Sequence, residues 1–536
     1  MNKTSYLILS GVVAASGLLT GCMQEPIDTD KVKQDQIESS TKALESSLWG
    51  MPATLKLFNC LNEASGSENH NDWGIGSIMH IRDVMTEDFA IASSNYDHYT
   101  AWETNQAMGA PYTVTHLPYT FYTKYIQSAN NVVASVDSTS ATDEQLAYLG
   151  VALAYRAHAY LEEGQMYEYK PTDVFPTNKN TDGNDITELT VPIVTEKTTT
   201  EQAKNNPRVK KDTLVAFIEK DLNDAERFIA SYNRPSKNMP DISVVYGLKA
   251  RLYMWAEDYA KAEEYARMAI DLGANTPMTE AEWTSTTTGF NTIVSSWMWA
   301  STITKEDDIL QTGIINWTSW MANETTFGYA GAGVVNEIGA SLYAKISDRD
   351  FRKLSWKAPE GSVLSGREKY VDDSFKESLP AYASLKFRPG MGAFDDSDVG
   401  NAVSFPLMRI EEMYFIEAEA AAHQDAERGK ALLEDFMKTY RYAKYTCSAT
   451  TQDAIIDEIF LQKRIELWGE GLTYFDVKRL NKPVTRQYDG TNFYRSAQLN
   501  STGTYPAWMN FVIPSFEANN NAAVKGYNNP DPSDKY

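Results

Sequence analysis

The chain is poor in cysteine and histidine and has no block of positive charge, and each shortage removes a class of function. Only 3 cysteines occur in 536 residues, Cys22, Cys60 and Cys447. That is too few for a disulfide scaffold, and a chain this long buries a large core without one. Pairing of Cys60 with Cys447 cannot be deduced from sequence; two separate buried thiols is the simpler reading. The 6 histidines show no HExxH or comparable metal-ligand spacing. No G-x-S-x-G nucleophile elbow occurs. Lys and Arg number 49 against 72 Asp and Glu, a formal net charge of −23. A field of that sign opposes nucleic acid and anionic lipid headgroups. Neutral ligands and protein partners stay open, and no cofactor is called for.

Long hydrophobic runs are missing too, except at the N-terminus. Residues 6–19, YLILSGVVAASGLL, are mostly apolar and uncharged and follow one base, Lys3. This run falls short of the roughly 20 apolar residues of a membrane-spanning helix. It has the length of a signal-peptide hydrophobic region. It ends in Leu19-Thr20-Gly21-Cys22, which resembles the lipobox of bacterial lipoproteins. The resemblance implies a signal peptide over residues 1–21 and acylation of Cys22. Several acyl chains, each buried CH₂ contributing about 0.8 kcal/mol, make a firm anchor. The expected organisation is then a flexible tether over 22–45 and one domain over 46–536, held to the membrane by lipid alone.

What is abundant is helical periodicity and aromatic side chains. "VVYGLKARLYMWAEDYAKAEEYARMAIDLG", residues 244–273, reads as two helices about a turn at Glu257-Asp258. Tyr246, Ala250, Tyr253, Ala262, Ala266 and Ala269 follow the tetratricopeptide pattern, in which small residues let paired helices approach closely. Lys249 departs from it, standing where that pattern has Leu. Further helical segments lie within residues 121–167, 213–273, 405–441 and 451–480. They are interrupted by a loop-rich block, about 276–403, rich in Gly, Ser, Thr, Trp and Tyr. The fold class expected is mostly α: tetratricopeptide-like helix pairs in more than one array, with long insertions carrying the ligand site.

Five motifs in order resemble the SusD/RagB family of outer-membrane nutrient-binding lipoproteins of Bacteroidetes. They are "LAYRAHAYLEEGQMYEYKPTDVFP", "VPIVTEKTTTEQAKNNPRVKKDTLVAFIEKDLNDAE", "MRIEEMYFIEAEAAAH", "KRIELWGEGLTYFDVKRL" and "FVIPSFEANNNAAVKGYNNP". The fourth is the most specific, with Arg464, Glu466, Leu467, Glu470, Gly471, Asp476 and Arg479 in place. The resemblance implies a non-catalytic, cell-surface glycan-binding lipoprotein. Its partner would be a SusC-like TonB-dependent transporter, to which it delivers an oligosaccharide.

A binder of neutral sugars needs flat apolar faces beside amides or carboxylates. "NYDHYTAWETNQ", residues 95–106, supplies Tyr96, Tyr99, Trp102, Asn105 and Gln106. The family's ligand loop has Trp followed three residues later by Asn, which Trp102 and Asn105 match. The aromatic expected two residues before that Trp is replaced by Thr100, which argues against a starch-type arc. "INWTSWMANETTFGYAG", residues 315–331, adds Trp317, Trp320, Phe327 and Tyr329 beside Asn323 and Glu324. Trp73 is a further candidate, and Arg82 and Asp83 could line the pocket. "DDSDVG", with Asp395, Asp396 and Asp398, could hold a structural calcium but lacks the full loop spacing; a solvated turn is the plainer reading. Glu466 and Glu470, one helical turn apart, raise the alternative of a glycoside hydrolase, against ion pairing with Arg464, Arg479 or Arg409. A peptide-binding repeat adaptor is the third reading.

Overall fold

The structure is a computed structural model that describes residues 41–61, 69–91 and 97–536. The signal peptide, Cys22 and Tyr96 lie outside the described residues. Helix α1, Thr41–Thr54, begins inside the stretch expected to be tether. Leu44, Leu48 and Met51 share one face at helical spacing and are buried, which ties the segment to the domain.

The helical frame follows. Helices α2 (Ile75–Val84), α3 (Thr113–Ala134) and α4 (Asp143–Tyr167) come first. A capping box, Thr142 with Gln145, starts α4. Then come α5 (Lys211–Ile229), α6 (Ile242–Ala256) and α7 (Tyr259–Asp271). Between α6 and α7 the chain reverses through Glu257, at φ 61, and Asp258 caps α7. Ala262, Ala266 and Ala269 are buried where α7 meets its neighbours. Lys249 is buried as well; its ammonium donates to Asn223 at 2.6 Å, pairs with Glu226 and lies over the Tyr265 ring. A cation thus fills the place of an apolar residue by bonding at its tip.

After the insertion come α8 (Ile410–Gln424), α9 (Ala426–Tyr440), α10 (Gln452–Glu466) and α11 (Thr473–Arg479). Helix α7 packs directly on α8, so the stack of pairs is continuous in space although interrupted in sequence. This corrects the expectation of separate arrays: the insertion leaves and rejoins one frame. Residues 404–409, expected partly as helix, form strand β4 (Ser404–Arg409). Strand β4 pairs antiparallel with β2 (Trp297–Thr302), with Trp297 opposite Arg409. A short apolar run containing Pro406 fits a two-stranded edge better than a helix interior. A second two-stranded sheet joins β1 (Phe89–Ile91) to β3 (Asn336–Ile338), with Phe89 opposite Ile338 and Ile91 opposite Asn336.

Between α10 and α11 the chain bends through Gly469 and Gly471, at φ +74 and +69. The Gly471 N–H donates to the Asp83 carboxylate on α2 at 3.0 Å. A Cβ on Gly471 would lie 2.8 Å from the Met79 backbone, so the approach of α2 requires glycine. Cys60 and Cys447 are both buried and are not joined by a disulfide; the Cys60 thiol donates to the Asp72 carboxylate at 3.1 Å. No helix among the described residues is long and apolar enough to cross a membrane.

Candidate functional site

The β1–β3 sheet decides what meets what. Residues 97–106 follow β1 in the chain, and the aromatic segment of the insertion precedes β3. Pairing the two strands therefore brings both segments to one place, where residues 69–73 join them. Trp320 and Tyr329 stack at 3.6 Å with planes 16° apart. Tyr99 stands edge-on to Trp320 at 4.8 Å, and its hydroxyl accepts from the Trp73 indole N–H at 2.7 Å. Trp73 meets Trp317 edge-on at 6.1 Å. The Trp320 indole N–H donates to the His70 carbonyl at 2.9 Å. Three separate stretches of chain thus converge on one aromatic cluster.

The rings are the cluster's interior rather than its face. Tyr99, Trp102, Trp73, Trp317, Trp320 and Tyr329 are each 2% exposed or less. A ring covered on both sides has no face left for a sugar, so the reading of Tyr99, Trp102, Trp73, Trp317, Trp320 and Tyr329 as candidate ligand-facing rings is corrected. Their polar edges and faces bond one another and knit loops that lack a regular hydrogen-bonded backbone. Asn105 is corrected likewise. Held at φ 51 and buried, it donates from its amide to the Pro532 carbonyl at 2.6 Å. Asn323 is spent on the backbone of Asn336 and Ser384, and Glu324 pairs with Arg388. Arg82 bonds Glu162 at 3.0 Å and Asp83 bonds Gly471, so neither lines an opening. Gln106 is exposed.

The outward edge of the cluster consists of residues read in sequence only for metal spacing. The exposed His98 ring stacks on the half-buried His70 ring at 4.6 Å and meets Tyr329 edge-on at 5.7 Å. The His70 imidazole hydrogen-bonds the Tyr329 hydroxyl. The Asn71 side-chain amide donates to the His98 carbonyl at 3.0 Å. Partial burial and the neighbouring His70 hold the His98 imidazole below its ordinary range. Its ring is therefore neutral at pH 7, a flat face with a donor and an acceptor at its edge. Beneath, burial pulls His80 down to about 3, and burial with nearby Asp97 pushes the Glu103 carboxyl well up. The ground under the site thus carries little charge. His98 belongs to the quoted stretch 95–106, so its position was visible; nothing in the sequence ranked it above the larger rings around it.

The paired carboxylates lie deep in the frame. Glu466 is fully buried among Arg352, Arg409 and Arg441 at 2.9, 3.1 and 2.7 Å. Glu470 is held by Lys386 at 2.7 Å and Arg409 at 2.9 Å. Burial alone would raise the Glu466 carboxyl, but Arg441 and Arg409 outweigh it and hold it well below the usual carboxylate range. Of the partners foreseen, Arg409 is correct. Arg464 instead pairs with Asp88 and Glu87, and Arg479 with Glu419 and Asp476. A carboxylate ringed by guanidinium groups is neither a proton donor nor open to water. The Asp396 side chain accepts from the N–H groups of Asp398 and Val399 at 3.0 and 3.2 Å, capping a short helix. Among the described residues no group of three or more His, Cys, Asp or Glu converges as a metal site.

Comparison with known proteins agrees with this architecture. Residues 360–533 match the model of the SusD family. A SusD-like carbohydrate binding protein from Bacteroides vulgatus is 23% identical, with a TM-score of 0.69 over 90% of this chain and 97% of that one. A SusD superfamily protein from Bacteroides thetaiotaomicron is 18% identical, with a TM-score of 0.67 over 93% and 100% of the two chains. A SusD-like carbohydrate binding protein from Bacteroides fragilis is 13% identical, with a TM-score of 0.64 over 91% and 100%. No curated protein matches the chain.

Proposed function

We propose, for a chain that is SusD-like in fold and carries the SusD family's match over residues 360–533, that it is a non-catalytic glycan-binding protein. The observation that carries this reading is the convergence of three loops at the β1–β3 junction, with the neutral His98 ring stacked on His70 at the solvent edge. We place the sugar on that stack, bonded at its rim by Asn71, rather than on Trp102. The finer role follows from the lipobox and the family resemblance. Cys22 would hold the protein on the outer membrane, facing the exterior, where it hands oligosaccharide to a TonB-dependent transporter. Linking receptor and transporter in one membrane raises the effective ligand concentration without bond-making.

The test is a panel of neutral oligosaccharides offered to the purified protein, read by calorimetry and by reducing-end release. Binding without release supports the reading. His98→Ala should weaken binding about tenfold, or about 1.4 kcal/mol, with no change in melting temperature. Release of reducing ends that Glu466→Gln abolishes would replace the receptor by a hydrolase.

A further inference from the structure

A groove of about 850 Å³ lies away from the aromatic cluster, between α3, α4, residues 192–206 and α12 (Ser515–Asn520). Tyr119 and Glu163 lie in its buried floor. Gln127, Asn131 and Asn519 stand exposed along its walls, and Glu517 is at the rim. None of the three wall amides makes a side-chain hydrogen bond among the described residues, so each has its full bonding capacity left.

Glu163 is the anomaly. Every other buried carboxyl among the described residues has at least one partner within the protein. Glu162 has Arg82, Glu412 has Arg251 and Glu466 has three guanidinium groups. Asp83 has the Gly471 N–H, and Glu103 accepts from the Tyr494 hydroxyl at 2.5 Å. Glu163 is 3% exposed yet has no ion pair and no hydrogen bond to its side chain among the described residues. Such a group left alone is costly, and this one opens onto a cavity. Among the described residues Glu517 likewise has no cation, and its side chain accepts only from the Asn521 amide at 2.9 Å. The bases near the groove are engaged elsewhere, Lys204 with Glu201 at 2.7 Å and Arg156 with Asp221 and Glu196, both at 2.7 Å. The groove therefore presents two uncompensated acids and a row of unused amides.

We propose that this groove is a second binding site, for a ligand bearing a primary ammonium group, which sits between Glu163 and Glu517 while Gln127, Asn131 and Asn519 bond the chain that carries it. An ammonium supplies three donors and the missing positive charge at once. A neutral sugar supplies the donors only, and an acidic ligand meets repulsion. The ammonium could belong to an amino sugar or to a lysine side chain, two carriers of one chemistry. Burial and Glu517 push the Glu163 carboxyl well above its ordinary range. An ammonium seated beside Glu163 opposes that shift by favouring the ionised carboxylate.

Calorimetry of the purified protein with three probes tests this: a glucosamine tetramer, its fully N-acetylated counterpart, and an end-blocked lysine tetrapeptide. The glucosamine tetramer should bind. The N-acetylated tetramer should bind about tenfold more weakly or not at all, the worth of a charge-assisted hydrogen bond. Glu163→Gln and Glu517→Gln should each cost a similar factor for the ammonium probes and leave the binding of neutral oligosaccharides unchanged, which separates this site from the aromatic one. Binding of the peptide in place of the amino sugar keeps the ammonium site and assigns its carrier. The proposal fails if neither ammonium probe binds, if the acetylated tetramer binds equally well, or if Glu517→Gln, a rim change that leaves the core intact, has no effect.

Discussion

A single ring can be named from sequence as aromatic but not as inside or outside, and here that difference decides its job. Trp320 is stacked on Tyr329, crossed by Tyr99 and bonded to the His70 backbone. Removing its side chain leaves a large void, so Trp320→Ala should cost about 3–5 kcal/mol, read as a shift of the urea midpoint. Trp102→Ala should do the same, whereas His98→Ala should leave stability untouched. Glu466 behaves differently again, because its effect follows acidity. In the unfolded chain a glutamate titrates near 4.3; among Arg352, Arg409 and Arg441 it titrates lower. The stability this difference contributes is complete above the unfolded value and drains away as pH falls through the folded one. Glu466→Gln should destabilise the protein by about 3–5 kcal/mol at pH 7, since it leaves buried guanidinium groups uncompensated. It should also flatten the loss of stability below about pH 4, seen in urea midpoints measured down to pH 3.

Among the elements, the helices were legible and the strands were not, for reasons of length and distance. Helices such as α4 and α7 carry many turns of periodic small and apolar residues and a cap at the start, and one helix declares itself without its partner. Strands β1 and β3 have three residues each and exist only because each finds the other far along the chain. No local pattern announces such a pair, yet it is what gathers the site. Hence the three contributing segments could be picked out by composition, while their meeting and the burial of their rings could not. The Gly469–Gly471 bend was visible as part of a motif, and its cause is now physical: α2 occupies the space of a side chain. Gly471→Ala adds a clash with the Met79 backbone to a left-handed φ. It should cost at least about 2 kcal/mol, measured by thermal melting, whereas Ala at the open Gly490, also of positive φ, should cost less.

For the molecule as a whole, the net charge of −23 acts on ligands before any contact is made. Neutral oligosaccharides should bind with affinities that hardly change between low and high salt. Polyuronates should bind poorly at low salt and improve as salt screens the repulsion; tight, salt-weakened binding of a polyuronate in a calorimetric titration would contradict this. The whole chain also contributes through one fastening. Asn105 bonds Pro532, the Asp534 N–H returns to the Asn105 carbonyl at 3.0 Å, and the Met108 N–H donates to Ser533 at 2.8 Å. The two contacts that use a side chain join positions 427 and 425 residues apart. A chain emerging N-terminus first makes residues 105–108 more than four hundred residues before their clasp. Folding is therefore sequential at this point: residues 105–108 stay slack until the helices between them and their clasp have been made, and a part-made chain has helices before it has this fastening.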